Sequence, residues 1–567
     1  MPVQTRHQAY VAVQSAIPPL PREIWWLVSK EFLRRRDFDS LFTSSLVCRS
    51  LASIALPLLY SIHDLSPVST GDTVVVETRK WALLWRSIIV SSLGETMHPY
   101  CLWIKSLNLG NLHSLLEDLA RYRFRVGNVE VDYEHLKKWF FNPPMQEFYA
   151  THENKKLMDI EKIVIRVAEK VTAFLKRAAD MEDKTVMLSS LEGYHLPTTS
   201  LADMVSRLSQ LRSLTVRDGS VLTAKVSKAI RANCPSFREV MCHYCLGTDV
   251  DEELAGFFGG LAPNTLESFT IMSANALGEK TFCALNSHSG SLKTLNLCLD
   301  RSSLAALHHL SDCVNLEWLT LEARQEIASF DWENQHREEF QRVVSWLKEC
   351  RSLTNIGLDF LPSAPVILNQ LLRVPEIRLT SMDIKFLQAD EEFYSSLGYQ
   401  TSLQSLVLRT NDELVDIPGP RHEQFIQSIC KCSGLRKLDL MSDQLTLEDV
   451  YKIAESIPEL EDFSLDSELV DDNFLLPLSR MRHLKSLNIN APSNVSFKGL
   501  LQFFHNLQHD GSVHHNGIRI YFMGQYGVKF TNSEEALLGD LAARLGGRID
   551  ITYEADPDEL HESDFSD

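Results

Sequence analysis

Several things are scarce in this 567-residue chain, and each scarcity closes off a class of protein. No run approaches the roughly 18 consecutive apolar residues that a membrane span requires. The short apolar stretch Val11–Val13 lies between Gln8 and the pair Gln14-Ser15, unlike a secretory leader, so a cytoplasmic and/or nuclear protein is expected. Basic residues are in deficit, 56 Lys and Arg against 75 Asp and Glu, and a net charge of −19 repels phosphate backbones, so neither nucleic acid nor membrane is an expected partner. The cysteines number eleven, an odd and scattered set, and Cys283, Cys298, Cys313 and Cys350 sit among apolar neighbours. They read as free, buried thiols rather than a disulfide framework.

Catalytic signatures are scarce too. The chain shows no phosphate-binding glycine loop, Gly-x-Ser-x-Gly elbow or zinc-protease helix. Cys242-x-x-Cys245 lacks the second pair of ligands that a structural zinc site needs, and Cys242 has a repeat-core position to fill. His505 and His509 lie one helical turn apart and His514-His515 follows, but no Glu or Cys completes a ligand set. The expectation is a non-enzyme with no cofactor and no metal.

What the chain does have is a recurring spacing in which one apolar residue is followed by another three later and a third two after that. It begins at Ile104, Ile160, Leu211, Phe237, Leu266, Leu292, Leu316, Leu353, Leu379, Leu403, Leu435, Leu460 and Leu484. From Leu211 onward most steps fall between 24 and 29 residues, with longer steps of 37 and 32 that carry the inserts Ser329 to His336 and Asp412 to His422. The gap between Ile160 and Leu211 spans two periods, and Val186 and Leu188 fit a degenerate strand inside it. That makes about fourteen repeats.

The last two apolar positions of each repeat alternate with polar ones, so both side chains fall on one face of a short strand. Stretches such as Phe340, Val343, Val344 and Leu347, or Val450, Ile453, Ala454 and Ile457, have helical spacing and cover that face. One strand-and-helix unit cannot bury its own apolar side, whereas stacked units share a continuous core. The fold expected is therefore α/β: a leucine-rich-repeat solenoid with a parallel sheet on its concave face and helices on its convex face.

The expected layout is a disordered stretch over 1–17, a helical module over 18–62, a helical linker over 63–100, the solenoid over 101–517 with an insertion near 110–157, a C-terminal cap over 518–553, and a disordered acidic tail over 554–567. The cap reads as strands at Ile518 to Phe522 and Ile549 to Tyr553 around a helix near Ser533 to Leu545.

Residues 20–60 break the repeat pattern. Pro21 stands at a first helical position ahead of Ile24, Leu27, Val28 and Phe32, and Asp37 is a natural N-cap for Phe38, Leu41, Phe42 and Leu46. The line continues through Val47, Cys48, Leu51, Ile54 and Ala55 to Pro57. Three short helices fit, and they hold more apolar surface than they can bury together. Either they cap the repeat array or they dock on a partner.

Leu20-Pro21-Arg22-Glu23-Ile24, Asp37-Phe38-Asp39-Ser40-Leu41 and Leu46-Val47-Cys48-Arg49-Ser50-Leu51-Ala52 together resemble an F-box, and the exit Ala55-Leu56-Pro57-Leu58-Leu59-Tyr60 is similar to fungal members of that family. Two features depart from the pattern. Ser50-Leu51 stands where many members carry an aromatic residue, and Arg34-Arg35-Arg36 is unusually basic.

The resemblance implies a substrate-recognition subunit of a Skp-cullin-F-box ubiquitin ligase, joined through a Skp-type adaptor to a cullin-RING complex. It assigns adaptor binding to Leu20, Pro21, Ile24, Leu27, Val28, Leu41, Val47, Cys48 and Leu51. The alternative is a leucine-rich-repeat scaffold or regulator with no adaptor.

A protein substrate would lie on the sheet residues that face away from the core. Those named by the spacing are Arg217, Met241, His243, Met272, Trp318, Glu322, Asp359 and Arg409, with Asp439, Asp462 and Asp466 as an acidic end. Trp318 is the best single anchor, because tryptophan is enriched among binding hot spots.

Overall fold

A computed structural model of the chain describes residues 20–65, 75–121, 123–126, 129–153, 157–181, 185–324, 330–387, 391–410, 420–467, 469–509, 517–524 and 529–553. The expected disordered ends, 1–17 and 554–567, and most of the insert Asp412 to His422 lie outside these residues. Two compact units divide the chain: Met1–Gly247 with Gly256–Ala262, and Thr248–Ala255 with Pro263–Asp567.

The first unit opens with three helices: α1 (Arg22–Arg34), α2 (Phe38–Val47) and α3 (Arg49–Ser61). Pro21 takes the N-cap of α1, one residue before its expected place, and the Asp37 side chain caps α2 by accepting from the Ser40 amide at 2.9 Å. Leu41, Ala55 and Ile62 form the small core of this module, with Phe32, Leu33, Phe38, Leu58 and Leu59 packed around it. α3 is also tied to the body that follows. The Tyr60 hydroxyl lies 2.6 Å from that of Ser87, on the helix Val75–Ser92, and the Tyr60 ring stacks on Tyr100 at 4.6 Å.

Strand β1 (Ser106–Asn108) starts the sheet of this unit. A hairpin of β2 (Arg123–Val126) and β3 (Val129–Asp132) follows, and then β4 (Ser190–Gly193), β5 (Ser213–Asp218) and β6 (Glu239–Tyr244) run parallel in the order β1-β4-β5-β6.

Two strand expectations need correction. Ile160, Ile163 and Ile165 are not a strand but the start of the helix Ile160–Ala179, capped by Asp159. An i, i+3 pair also fits a helix, and here Val164, Val167, Ala168, Val171 and Leu175 extend the buried stripe at helical period. The strand inferred at Val186 and Leu188 lies slightly later. Leu188 and Leu191 take the first two buried positions, and Gly193 occupies the third.

The second unit repeats the same plan. Its strands are β7 (Ser268–Asn275), β8 (Thr294–Leu299), β9 (Trp318–Ala323), β10 (Asn355–Asp359), β11 (Ser381–Leu387), β12 (Ser405–Thr410), β13 (Lys437–Gln444) and β14 (Asp462–Asp466). After the two-residue β15 (Val470–Asp471) come β16 (Ser486–Asn494), β17 (Arg519–Gly524) and β18 (Arg548–Tyr553). All pair in parallel in chain order, with β15 set aside against β16. The segment 518–553 thus supplies two further rungs, the last among the described residues, bridged by the helix Asn532–Arg544.

The register of these strands is the repeat itself. Leu295 pairs with Leu319, Leu319 with Ile356 and Ile356 with Met382, while Leu297, Leu321, Leu358 and Ile384 form the next buried row. Every apolar repeat position from Leu211 to Ile489 is buried. Helices close the core behind the strands. Arg337–Glu349 buries Phe340, Val343, Val344, Trp346 and Leu347, and the Trp346 indole donates to the Cys313 carbonyl at 3.0 Å, joining neighbouring repeats. The protein is an α/β leucine-rich-repeat solenoid.

A buried polar pair adds a second kind of joint. Thr446 and Asp449 form a capping box on the helix Leu447–Ser456, and His422 Nε2 lies 2.7 Å from the Asp449 carboxylate. Burial raises the Asp449 carboxyl, but hydrogen bonds from His422 and Thr446 outweigh it and hold the group below its ordinary value. A carboxyl lowered in the folded state stabilises above its unfolded pKa and loses that contribution as pH falls through the folded value. Asp449→Asn should therefore cost about 1–3 kcal/mol at pH 7, with the gap closing below about pH 4. Urea denaturation at both pH values reads this, and a gap that widens in acid contradicts it.

Candidate binding surfaces

On α1 the residues Ile24, Leu27 and Val28 recur at i, i+3 and i+4 and so share one face, while on α2 Phe42 and Leu46 do the same at i, i+4. The module core does not use them. Leu27 is 55% exposed, Leu46 and Val47 are each 69% exposed, and Leu20, Ile24, Trp26 and Phe42 are also exposed apolar side chains. Among the sequence-predicted adaptor residues, Leu20, Pro21, Ile24, Leu27, Val47 and Cys48 are exposed and Val28 is half-buried.

Leu41 and Leu51 correct the expectation. Leu41 is at the centre of the module core, and Leu51 belongs with Ile54 and Ala55 to the buried stripe of α3. They hold the module together and present nothing to a partner. Trp26, Phe42 and Leu46 take their place on the exposed side. Phe42 and Leu46 were readable from their helical spacing, whereas Trp26 had no such signal.

Charge borders this surface. The Lys30 ammonium lies over the Trp26 ring at 3.8 Å. Hydrogen bonds from Arg34 and then Arg35 hold the Glu31 carboxyl down to about 2, so two of the three consecutive arginines are paired within the module.

The sheet face opposite the helices carries the other candidates. In the first unit Arg217 is exposed, donates to the Tyr194 hydroxyl at 2.9 Å and lies over that ring, while Met241 and His243 on β6 are half-buried. In the second unit Met272 and Trp318 are exposed, and the Trp318 indole donates to Thr320 at 3.1 Å.

Strand register brings several charges into one row: Glu322, Asp359, Lys385 and Arg409 are successive neighbours across β9 to β12. Lys385 reaches Asp359 at 2.7 Å and Asp383 at 3.6 Å, and Arg409 reaches Asp439 at 3.0 Å. Asp359 and Asp439 are therefore buried in ion pairs and not freely displayed as expected. Burial pushes the Asp359 carboxyl up despite the ammonium beside it. The expected acidic end is interrupted by basic residues, since Asp439 is held by Arg409, Lys437 is the strand-register neighbour of Asp462, and Asp466 is half-buried beyond them. Lys385 and Asp383, which organise the cluster, were missed although they occupy the same outward positions of their repeat.

The thiols also need one correction. Cys298, Cys313 and Cys350 are buried, but Cys283 is exposed. Cys242 is buried beside Cys245, and hydrogen bonding to that neighbour together with burial raises its thiol. His505 is exposed, and His514-His515 falls outside the described residues. Among the described residues no helix is long and apolar enough to cross a membrane.

No protein-family model matches the chain, and no curated protein matches it. Among solved structures, the crystal structure of the Rad7 and Elc1 complex in yeast aligns with a TM-score of 0.31 at 16% identity, covering 60% of this chain and 91% of that one. The TLR13-ssRNA13 complex aligns with a TM-score of 0.24 at 12% identity, covering 65% of this chain and 71% of that one.

Proposed function

We propose that this chain is the substrate-recognition subunit of a Skp-cullin-F-box ubiquitin ligase, working in the cytoplasm and/or nucleus. The observation that carries the proposal is the apolar side of α1 and α2, which the module leaves exposed while burying Leu41 and Leu51. Exposed apolar helix faces suit insertion into a partner's groove. An adaptor seated there would join the chain to a cullin-RING complex, while the sheet face holds a protein substrate around Trp318 and the charged row.

The chain itself performs no covalent step in this reading. Tethering raises the effective concentration of a substrate lysine near the charged conjugating enzyme.

Affinity capture of the full chain from a eukaryotic lysate tests the reading. Recovery of a Skp-type adaptor together with a cullin is expected. Recovery of another partner with neither of these sinks the ligase role and leaves a leucine-rich-repeat scaffold.

A further inference from the structure

The helical side of the second unit holds a cluster that the proposed function does not use. The helix Glu279–Leu285 places Glu279 and Cys283 four residues apart, hence on one face. The next repeat brings His309 against them from the short turn Leu307–Leu310. Cys283 Sγ and His309 Nδ1 are 3.9 Å apart, and one carboxylate oxygen, the sulfur and an imidazole nitrogen all lie within 4.8 Å of one another. Asn286 holds the turn in place by donating to the His309 carbonyl at 2.7 Å.

Tetrahedral zinc with bonds of about 2.0–2.3 Å to S, N and O ligands sets those ligands about 3.3–3.6 Å apart. Glu279 and Cys283 are exposed and His309 is partly so, which leaves the two longer side chains free to close the remaining ångström by rotamer adjustment. Thiolate, imidazole and carboxylate together suit a borderline divalent ion better than calcium or magnesium, which prefer oxygen alone. A cleft of about 550 Å³ adjoins the cluster, lined by Cys283 and His309 together with His308, Ser345 and Trp346. It gives a fourth coordination position access to solvent or to a ligand.

We propose that Glu279, Cys283 and His309 form a three-ligand zinc site whose open position faces this cleft. The site binds one Zn²⁺ and clamps two successive repeats together. It is independent of the adaptor surface and stands or falls without it.

Cobalt is the probe, because a thiolate bound to Co²⁺ gives a charge-transfer band that water and carboxylate ligands do not. Titrating the full chain with Co²⁺ should produce that band at one equivalent, and Zn²⁺ should displace it. Cys283→Ser should abolish the band, and His309→Ala should weaken Zn²⁺ binding at least about 100-fold, since outer-shell partners alone are worth about 10–100-fold. Cys48→Ser, which removes another exposed thiol, should leave the band intact.

Thermal melting without metal should be the same for Cys283→Ser and the parent, because the thiol is exposed and not part of the core. Zn²⁺ should raise the melting temperature of the parent alone. Absence of a charge-transfer band, a band that survives in Cys283→Ser, or a band lost in Cys48→Ser overturns the site.

Discussion

Leu27→Asp combined with Leu46→Asp should abolish capture of a Skp-type adaptor and leave the melting temperature of the chain where it was. Both side chains are mostly in solvent, 55% and 69% exposed, so the fold does not rest on them and a charge there is hydrated at little cost. In a partner's groove the same charges would be stripped of water without a counter-ion, and truncation of even one hot-spot side chain costs about 2 kcal/mol or more. Affinity should therefore drop by well over about 100-fold for the pair.

Leu41→Asp gives the contrast. It buries a carboxylate at the centre of the module core, so it should unfold α1 to α3 and lose the adaptor for the wrong reason. Adaptor retained by the double variant at parental affinity would show that these helices serve only to cover the end of the array. Substitution is a cleaner test than excising residues 20–60, because Tyr60 stacks on Tyr100 and meets Ser87, so excision would strip part of the body's own core.

Adjacent residues on β9 should behave as opposites. Leu319 is fully buried between Leu295 and Ile356, and Leu319→Ala should cost about 2–5 kcal/mol through lost burial and the cavity left behind. Trp318 points to the other side and is 48% exposed, so Trp318→Ala should change stability by no more than about 0.5 kcal/mol. In substrate capture the ranking reverses, with Trp318→Ala the damaging change. Urea midpoints of the two variants decide the first half. A Trp318→Ala loss as large as that of Leu319→Ala would mean that the indole is structural.

Much of this architecture was readable because each repeat needs the same three buried side chains, and Leu292, Leu295 and Leu297 recur almost unchanged in later turns. The misreading at Ile160 arose because a spacing of three belongs to helices as well as to these strands. Only the continuation to Val167 and Val171 separates the two. Phe282 and Leu285 flank Cys283 and suggest a buried thiol, but consecutive residues on a helix point in different directions, and its neighbours face the core without it.

The pairing of Asp359 with Lys385 lay hidden for a different reason. Which outward residue meets which depends on strand register, and the apolar spacing alone states register only once the strands are known to stack in step. Glu279, Cys283 and His309 were further out of reach still, since two neighbouring turns must be superposed before they meet.

Parallel rungs have no natural stopping point. Among the described residues nothing pairs with the outer side of β18, where half of the backbone's donors and acceptors face away from β17. Left bare, such a margin invites a neighbouring molecule to zip on and start a fibre. Here Arg548 and Asp550 are exposed along that margin, joined by an ion pair of 3.0 Å, and any newcomer would have to strip water from both charges. Replacing them with valine would remove that guard and turn the outer edge of β18 into a template for growth.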